Sequence, residues 1–138
     1  MRTTTFIRER TDPEAAFLAV GEDARYVAAL GGRRVLYDGY LAPPPDFEER
    51  RRLQRAVLVE DDATAARALR DQYGVRYVLM SDRLMVQYPG VRSRPFAARP
   101  GWRRVFPTSS TRDGRLAVFE LEAARSSSGS GAEPPKTD

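Results

Sequence analysis

The run Val75-Arg76-Tyr77-Val78-Leu79-Met80 constrains the fold of this chain more than any other segment. It follows Gly74, ends at Ser81-Asp82, is apolar on consecutive rather than alternate positions, and is too short for a buried helix. Such a run reads as a strand covered on both faces. A strand of that kind cannot stand at a wetted surface, so the rest of the chain must supply neighbours on each side of it and layers above and below.

Two further runs qualify as neighbours. Ala15-Ala16-Phe17-Leu18-Ala19-Val20 is closed by Gly21, and Arg34-Val35-Leu36-Tyr37 is cut off by Asp38-Gly39. Between them Glu22 and Asp23 favour a helix N-terminus, Tyr26, Val27 and Leu30 share one helical face, and Gly31-Gly32 ends the element. Strand, helix and strand over this length predict a parallel, right-handed βαβ unit. After Pro43-Pro44-Pro45, Asp46 is placed to cap a helix through Phe47, Leu53 and Val57. Asp61 and Asp62 are placed to cap another, lined by Ala65, Ala66, Leu69 and Tyr73 and stopped by Gly74. A short helical turn through Leu84, Met85 and Val86 follows Ser81-Asp82, and Tyr88-Pro89-Gly90 breaks it.

Beyond Pro100 the pattern becomes alternating. Residues 102–106 and 116–121 flank Arg112-Asp113-Gly114, a turn of the hairpin-closing kind. The expected fold is therefore α/β: a small three-layer sandwich of parallel strands and flanking helices, with a C-terminal antiparallel hairpin. The expected organisation is an N-terminal extension over 1–11, a single α/β domain over 12–122, and a disordered tail over 123–138, where the Ser/Gly run 126–131 and Pro134-Pro135 leave little to bury.

Among its 138 residues the chain has neither cysteine nor histidine. Thiol nucleophiles, disulfides, thiolate and imidazole metal sites, and catalytic sets built on histidine are thereby excluded. Acid–base work would fall to carboxylates, Tyr or Arg. No catalytic residue, metal site or cofactor is expected. The net charge is +4 and the pI about 9.8, but all the basic residues except Lys136 are Arg. That bias fits a GC-rich genome better than a nucleic-acid surface, so nucleic acid is not an expected partner. No apolar run reaches the roughly 20 residues a membrane-spanning helix requires, and the N-terminal residues have no apolar stretch of signal-peptide length.

In open α/β sheets ligands collect outside the carboxyl ends of the strands. Those ends supply Gly21, Glu22 and Asp23, then Asp38 and Gly39, then Ser81, Asp82 and Arg83. Asp38, Ser81, Asp82 and Arg83 are the candidate ligand-binding residues, with a small anionic ligand as one reading. Helix capping by Asp23 and Asp82 and a turn at Asp38 explain the same residue types without a ligand. The Gly31-Gly32-Arg33-Arg34 stretch leads from helix into strand, the reverse of a phosphate-binding loop. Arg50-Arg51-Arg52 and Arg55 lie beside Glu48 and Glu49 and read as a solvated face of mixed pairs. Tyr73, Tyr77, Trp102 and Phe106 read as core.

The segment Asp71-Gln72-Tyr73-Gly74-Val75-Arg76-Tyr77-Val78-Leu79-Met80 resembles an element of the soluble C-terminal domain of polytopic bacterial membrane glycosyltransferases of the GT-C type, the dolichyl-phosphate-mannose mannosyltransferase-like superfamily. The order of the other pieces is similar: an apolar strand before Asp23-Ala24-Arg25-Tyr26, then residues 29–36, a basic helix, and a last hairpin ending in Val118-Phe119-Glu120-Leu121. The resemblance spans roughly 12–122. Enzymes of that family carry an acidic pair in the first extracytoplasmic loop and a long series of membrane helices, and this chain contains neither, so no catalytic residue is carried over. The resemblance implies an accessory domain at the extracytoplasmic face, with a polytopic membrane protein or a glycan as partner. Without it, a cytoplasmic domain is the expectation.

Overall fold

The computed structural model describes residues 2–36, 45–107 and 116–122. In chain order the elements are α1 (Thr3–Arg10), β1 (Ala16–Leu18), α2 (Gly21–Ala29), β2 (Arg34–Val35), α3 (Phe47–Glu60), α4 (Ala63–Tyr73), β3 (Val75–Met80), α5 (Asp82–Gln87), α6 (Gly90–Ser93), a 3₁₀ turn (Phe96–Ala98), β4 (Trp102–Phe106) and β5 (Ala117–Leu121). The strands form one sheet in the order β2-β1-β3-β5-β4. β1 is parallel to both β2 and β3, while β5 is antiparallel to β3 and to β4.

Strand periodicity distributes the apolar side chains between two cores. Ala16, Leu18 and Val20 enter one cluster, and the intervening Ala15, Phe17 and Ala19 enter the other. β3 divides Val78 from Tyr77 and Leu79 in the same way, and β5 divides Ala117, Phe119 and Leu121 from Val118. Leu53, Val57 and Leu58 of α3, Leu69 of α4, Leu84 of α5 and Phe96 close the first core. Phe6 and Ile7 of α1 with Ala24 and Val27 of α2 close the second. The result is the three-layer α/β arrangement that the doubly covered 75–80 run requires. Phe17, Leu18, Val78 and Leu79 are fully buried, and burial of each large apolar side chain contributes about 1.5–3 kcal/mol.

Several local expectations need correcting. Residues 3–10, for which no helix was expected, form one seated on the second core. Gly31 permits that contact, because a Cβ there would lie 2.6 Å from Ile7 Cγ2 and 2.7 Å from the Val27 carbonyl. Leu30 does not join Tyr26 and Val27 on a packed face. It is the C-cap residue of α2, after the last helical turn, and is 54 % exposed. Asp61 does not start α4 but ends α3 in the left-handed region, and Asp62 alone caps α4 by accepting from Thr64 N and Ala65 N. Gly74 closes α4 with φ +72°, a conformation that costs a side chain about 1–2 kcal/mol. The hairpin strands pair as expected, while the Arg112-Asp113-Gly114 turn and the 123–138 tail lie outside the described residues.

Arg99 supplies a link that no sequence pattern announced. Its buried guanidinium donates to the carbonyls of Val57 (2.6 Å), Leu58 (2.7 Å) and Arg94 (2.9 Å) and packs 4.1 Å from the Phe96 ring centroid. Two of these carbonyls belong to the last turn of α3, which lacks intrahelical donors for them. Desolvation holds the guanidinium below its ordinary pKa, against the opposing pull of Asp61. Across the far half of the sheet, Arg76 joins Asp12 (2.9 Å) to Glu120 (2.6 Å), and Arg103 also reaches Glu120 at 2.7 Å.

Candidate functional site

The chain leaves β1 through α2 toward β2 on one side, while β3 lies on the other side of β1. Strand order therefore reverses between β1 and β3, and their carboxyl ends open onto the crevice where a sheet of this kind presents its ligand-binding loops. α2 begins at the end of β1, and α5 begins at the end of β3. The two helix starts bring together residues from distant parts of the sequence.

At the centre of the crevice is Asp23. Sequence alone assigns it to helix capping, yet its side chain is buried and makes its contacts across the crevice. Ser81 Oγ donates to Asp23 Oδ2, and Arg83 Nη1 donates to Asp23 Oδ1 at 3.3 Å. The Ser81 hydroxyl also accepts from Leu84 N at 3.1 Å, which makes it the N-cap of α5. One hydroxyl thus uses its hydrogen on the neighbouring loop and a lone pair on its own helix, tying α2 to α5. Buried and engaged in both directions, it is not presented for attack on a substrate.

The outer rim is different. Asp82 is exposed on the first turn of α5, and the Arg83 side chain is 62 % exposed although one nitrogen reaches Asp23. Glu22 and Arg25 pair loosely at 3.9 Å on the surface of α2. Of the four sequence-derived candidates, Ser81, Asp82 and Arg83 are at this crevice, and Asp38 lies outside the described residues. Asp23 is the member that sequence reasoning missed as a site residue. The only signal for it was a carboxylate directly after an apolar strand. Among the described residues no group of three or more acidic side chains is arranged to hold a metal ion.

A second polar cluster occupies the opposite, amino-terminal end of the parallel strands. Asp46 is the N-cap residue of α3, but its side chain makes no capping bond. It accepts instead from Arg50 Nε at 2.9 Å and from the Tyr73 hydroxyl at 3.0 Å. Arg50 continues to the Leu36 carbonyl at 2.7 Å and lies 4.9 Å from the Tyr73 ring centroid. Partial desolvation alone would raise the Asp46 pKa, but the hydrogen bonds from Tyr73 and Arg50 outweigh it and hold the carboxyl below its ordinary value. Desolvation, with the bond to Asp46, raises the Tyr73 hydroxyl. Elsewhere on α3, Arg52 pairs with Glu49 at 2.7 Å, as the mixed-charge reading of this helix expects.

No family model matches the chain, and no curated protein matches it in sequence. Its fold does have a counterpart among solved structures. The crystal structure of the C-terminal globular domain of an oligosaccharyltransferase from Archaeoglobus fulgidus superposes with a TM-score of 0.55 and 9 % sequence identity, covering 88 % of this chain and 99 % of that one. At that identity the likeness is one of fold. It extends over most of this chain and nearly the whole of the other. Among the described residues no helix is long and apolar enough to cross a membrane.

Proposed function

We propose that this chain is a non-catalytic accessory domain of a membrane glycosyltransferase system, contacting a glycan acceptor or a partner subunit through the crevice at the carboxyl ends of β1 and β3. The observation that carries this reading is the near-complete fold likeness to the globular domain of an oligosaccharyltransferase. The chemistry of the crevice is compatible with it. Exposed Asp82, Glu22 and Arg83 offer carboxylate acceptors and guanidinium donors suited to hydroxyl groups, while the buried Asp23–Ser81 link fixes the loops that carry them. In this reading the domain works at the extracytoplasmic face, and the bond-making groups belong to another polypeptide.

The same charges oppose the other reading, a small anionic ligand bound in a cytoplasmic domain. Glu22, Asp23 and Asp82 set three carboxylates against Arg83 and Arg25, each of which already faces one of them. An anion entering there meets a net negative surface.

The test has two arms. Titration of the ¹⁵N-labelled chain with acceptor oligosaccharide is expected to shift the backbone signals of Glu22, Asp82 and Arg83, and Arg83→Ala is expected to weaken that response. Incubation with a polyprenyl-phosphate sugar and acceptor is expected to give no transfer. Turnover that disappears in Asp38→Asn or Asp82→Asn would show that the chain is itself an enzyme and overturn the reading.

A further inference from the structure

The amino-terminal end of the parallel strands contains a cleft of about 340 Å³, within the size range of small-ligand sites. Ala16, Arg34, Arg50, Gln72, Tyr73 and Gly74 line it. It lies at the opposite end of the strands from the Asp23–Ser81 crevice, and a role for it is independent of the accessory-domain reading.

Two guanidinium groups line this cleft, and of the described carboxylates that act on Tyr73, Asp46 is bound by Arg50 and Glu49 is paired with Arg52. Asp46 is occupied by Arg50 Nε and by Tyr73, so Arg34 brings the cluster to a net positive charge. Among the described residues neither arginine spends all its donors on the protein. Arg34 gives one nitrogen to the Glu14 carbonyl at 2.6 Å, and Arg50 gives Nε to Asp46 and Nη1 to the Leu36 carbonyl. The rest of each five-donor fork is left over.

Both groups are also held in place. Arg50 is fixed by its two acceptors and by the Tyr73 ring. Arg34 Nη2 passes so close to Gly74 that a Cβ at that position would stand 3.2 Å away, and Gly74 has no Cβ. A positively charged recess walled by two oriented guanidinium forks complements a compact oxyanion, since each fork matches the paired oxygens of a carboxylate or phosphate. We propose that the cleft between β2 and α4 is a binding site for a small oxyanion group, held by the side chains of Arg34 and Arg50. The Gly31-Gly32 run has no part in it. The binding groups are arginine side chains, not backbone amides of a glycine-rich loop.

The experiment tracks the arginine Nε–Hε signals and the Gly74 amide of the full ¹⁵N-labelled chain during separate titrations with inorganic phosphate and with acetate. Arg51 and Arg55, on α3 outside the cleft, serve as internal controls. The expected result is a saturable shift at Arg34, Arg50 and Gly74 with at least one of the two anions, and only a weak linear drift at Arg51 and Arg55. Which anion saturates distinguishes a phosphate group from a carboxylate. In Arg34→Gln, at an exposed position that leaves the core untouched, the apparent Kd is expected to rise about tenfold, the equivalent of one charge-assisted hydrogen bond. Saturation in neither titration, equal responses at the control arginines, or an unchanged Kd in a normally folded Arg34→Gln chain would overturn the assignment.

Discussion

The two ends of the parallel strands are built from the same three chemical groups and use them in opposite ways. At the carboxyl ends, Asp23 receives a serine hydroxyl and a guanidinium, and at the amino ends Asp46 receives a tyrosine hydroxyl and a guanidinium. In the first cluster the carboxylate is the buried member, with a 7 % exposed side chain, and Arg83 is the exposed one at 62 %. In the second the order is reversed, Asp46 being 40 % exposed and Arg50 26 %. Burial decides which partner serves the fold. A carboxylate taken out of water must be held by donors, so Asp23 binds two loops together and leaves Arg83 at the rim. At the other end the guanidinium is tucked against Tyr73 and the Leu36 carbonyl, and the cleft wall becomes positive.

The scale for testing this contrast comes from Leu79, which is fully buried in β3 and belongs to neither polar cluster. Leu79→Ala is expected to lower stability by about 2–5 kcal/mol in chemical denaturation. A loss under about 1 kcal/mol would mean that β3 is not the central strand it is in this sheet. Asp23→Ala is expected to come next at about 1.5–3 kcal/mol, because the change leaves the buried Ser81 donor without its acceptor. The comparison breaks if Asp23→Ala proves milder than Asp46→Ala under the same denaturant.

Tyr73→Phe, which removes one partly buried hydroxyl, is expected to cost about 0.5–1.5 kcal/mol and to leave the sheet intact by circular dichroism. The smallest effect concerns acid. The folded-state pKa of Asp46 is depressed, so its contribution is complete above the unfolded carboxyl value and fades as pH falls through the folded one. A plot of Tm against pH for Asp46→Asn is therefore expected to be flatter than that of the parent below about pH 4. Parallel curves would mean that Asp46 contributes nothing to acid sensitivity.

How much could be read in advance depends on the range of each signal along the chain. The strands were legible because a doubly covered parallel strand must be apolar at consecutive positions, as in 15–20 and 75–80. The end of α4 was legible because Gly74 marks a left-handed stop, and its start because Asp62 accepts from amides two and three residues on. Helix α1 was not, since Phe6 and Ile7 make too short an apolar pattern and their burial depends on Gly31, far along the chain. The candidate site was legible in half. Ser81, Asp82 and Arg83 are placed by the position of β3, but Asp23 reaches Ser81 across 58 residues, and no local pattern distinguishes that role from capping. Asp46 does stand at the N-cap of α3 as expected, but the use of its side chain was not legible, its Tyr73 partner lying 27 residues away.

Strand order has a consequence for the chain as it is made. Among the described strands β5 is last in sequence but lies between β3 and β4, and β4 has no other described neighbour in the sheet. When a nascent chain has extended through residue 106, β1, β2 and β3 can already pair, but one long edge of β3 is bare and β4 has nowhere to dock. The carboxylate that joins Arg76 to Arg103 arrives only with Glu120. A translation product ending before that residue would carry an open, apolar strand edge of the kind that recruits other chains, so truncation near the C-terminus is a route to aggregation.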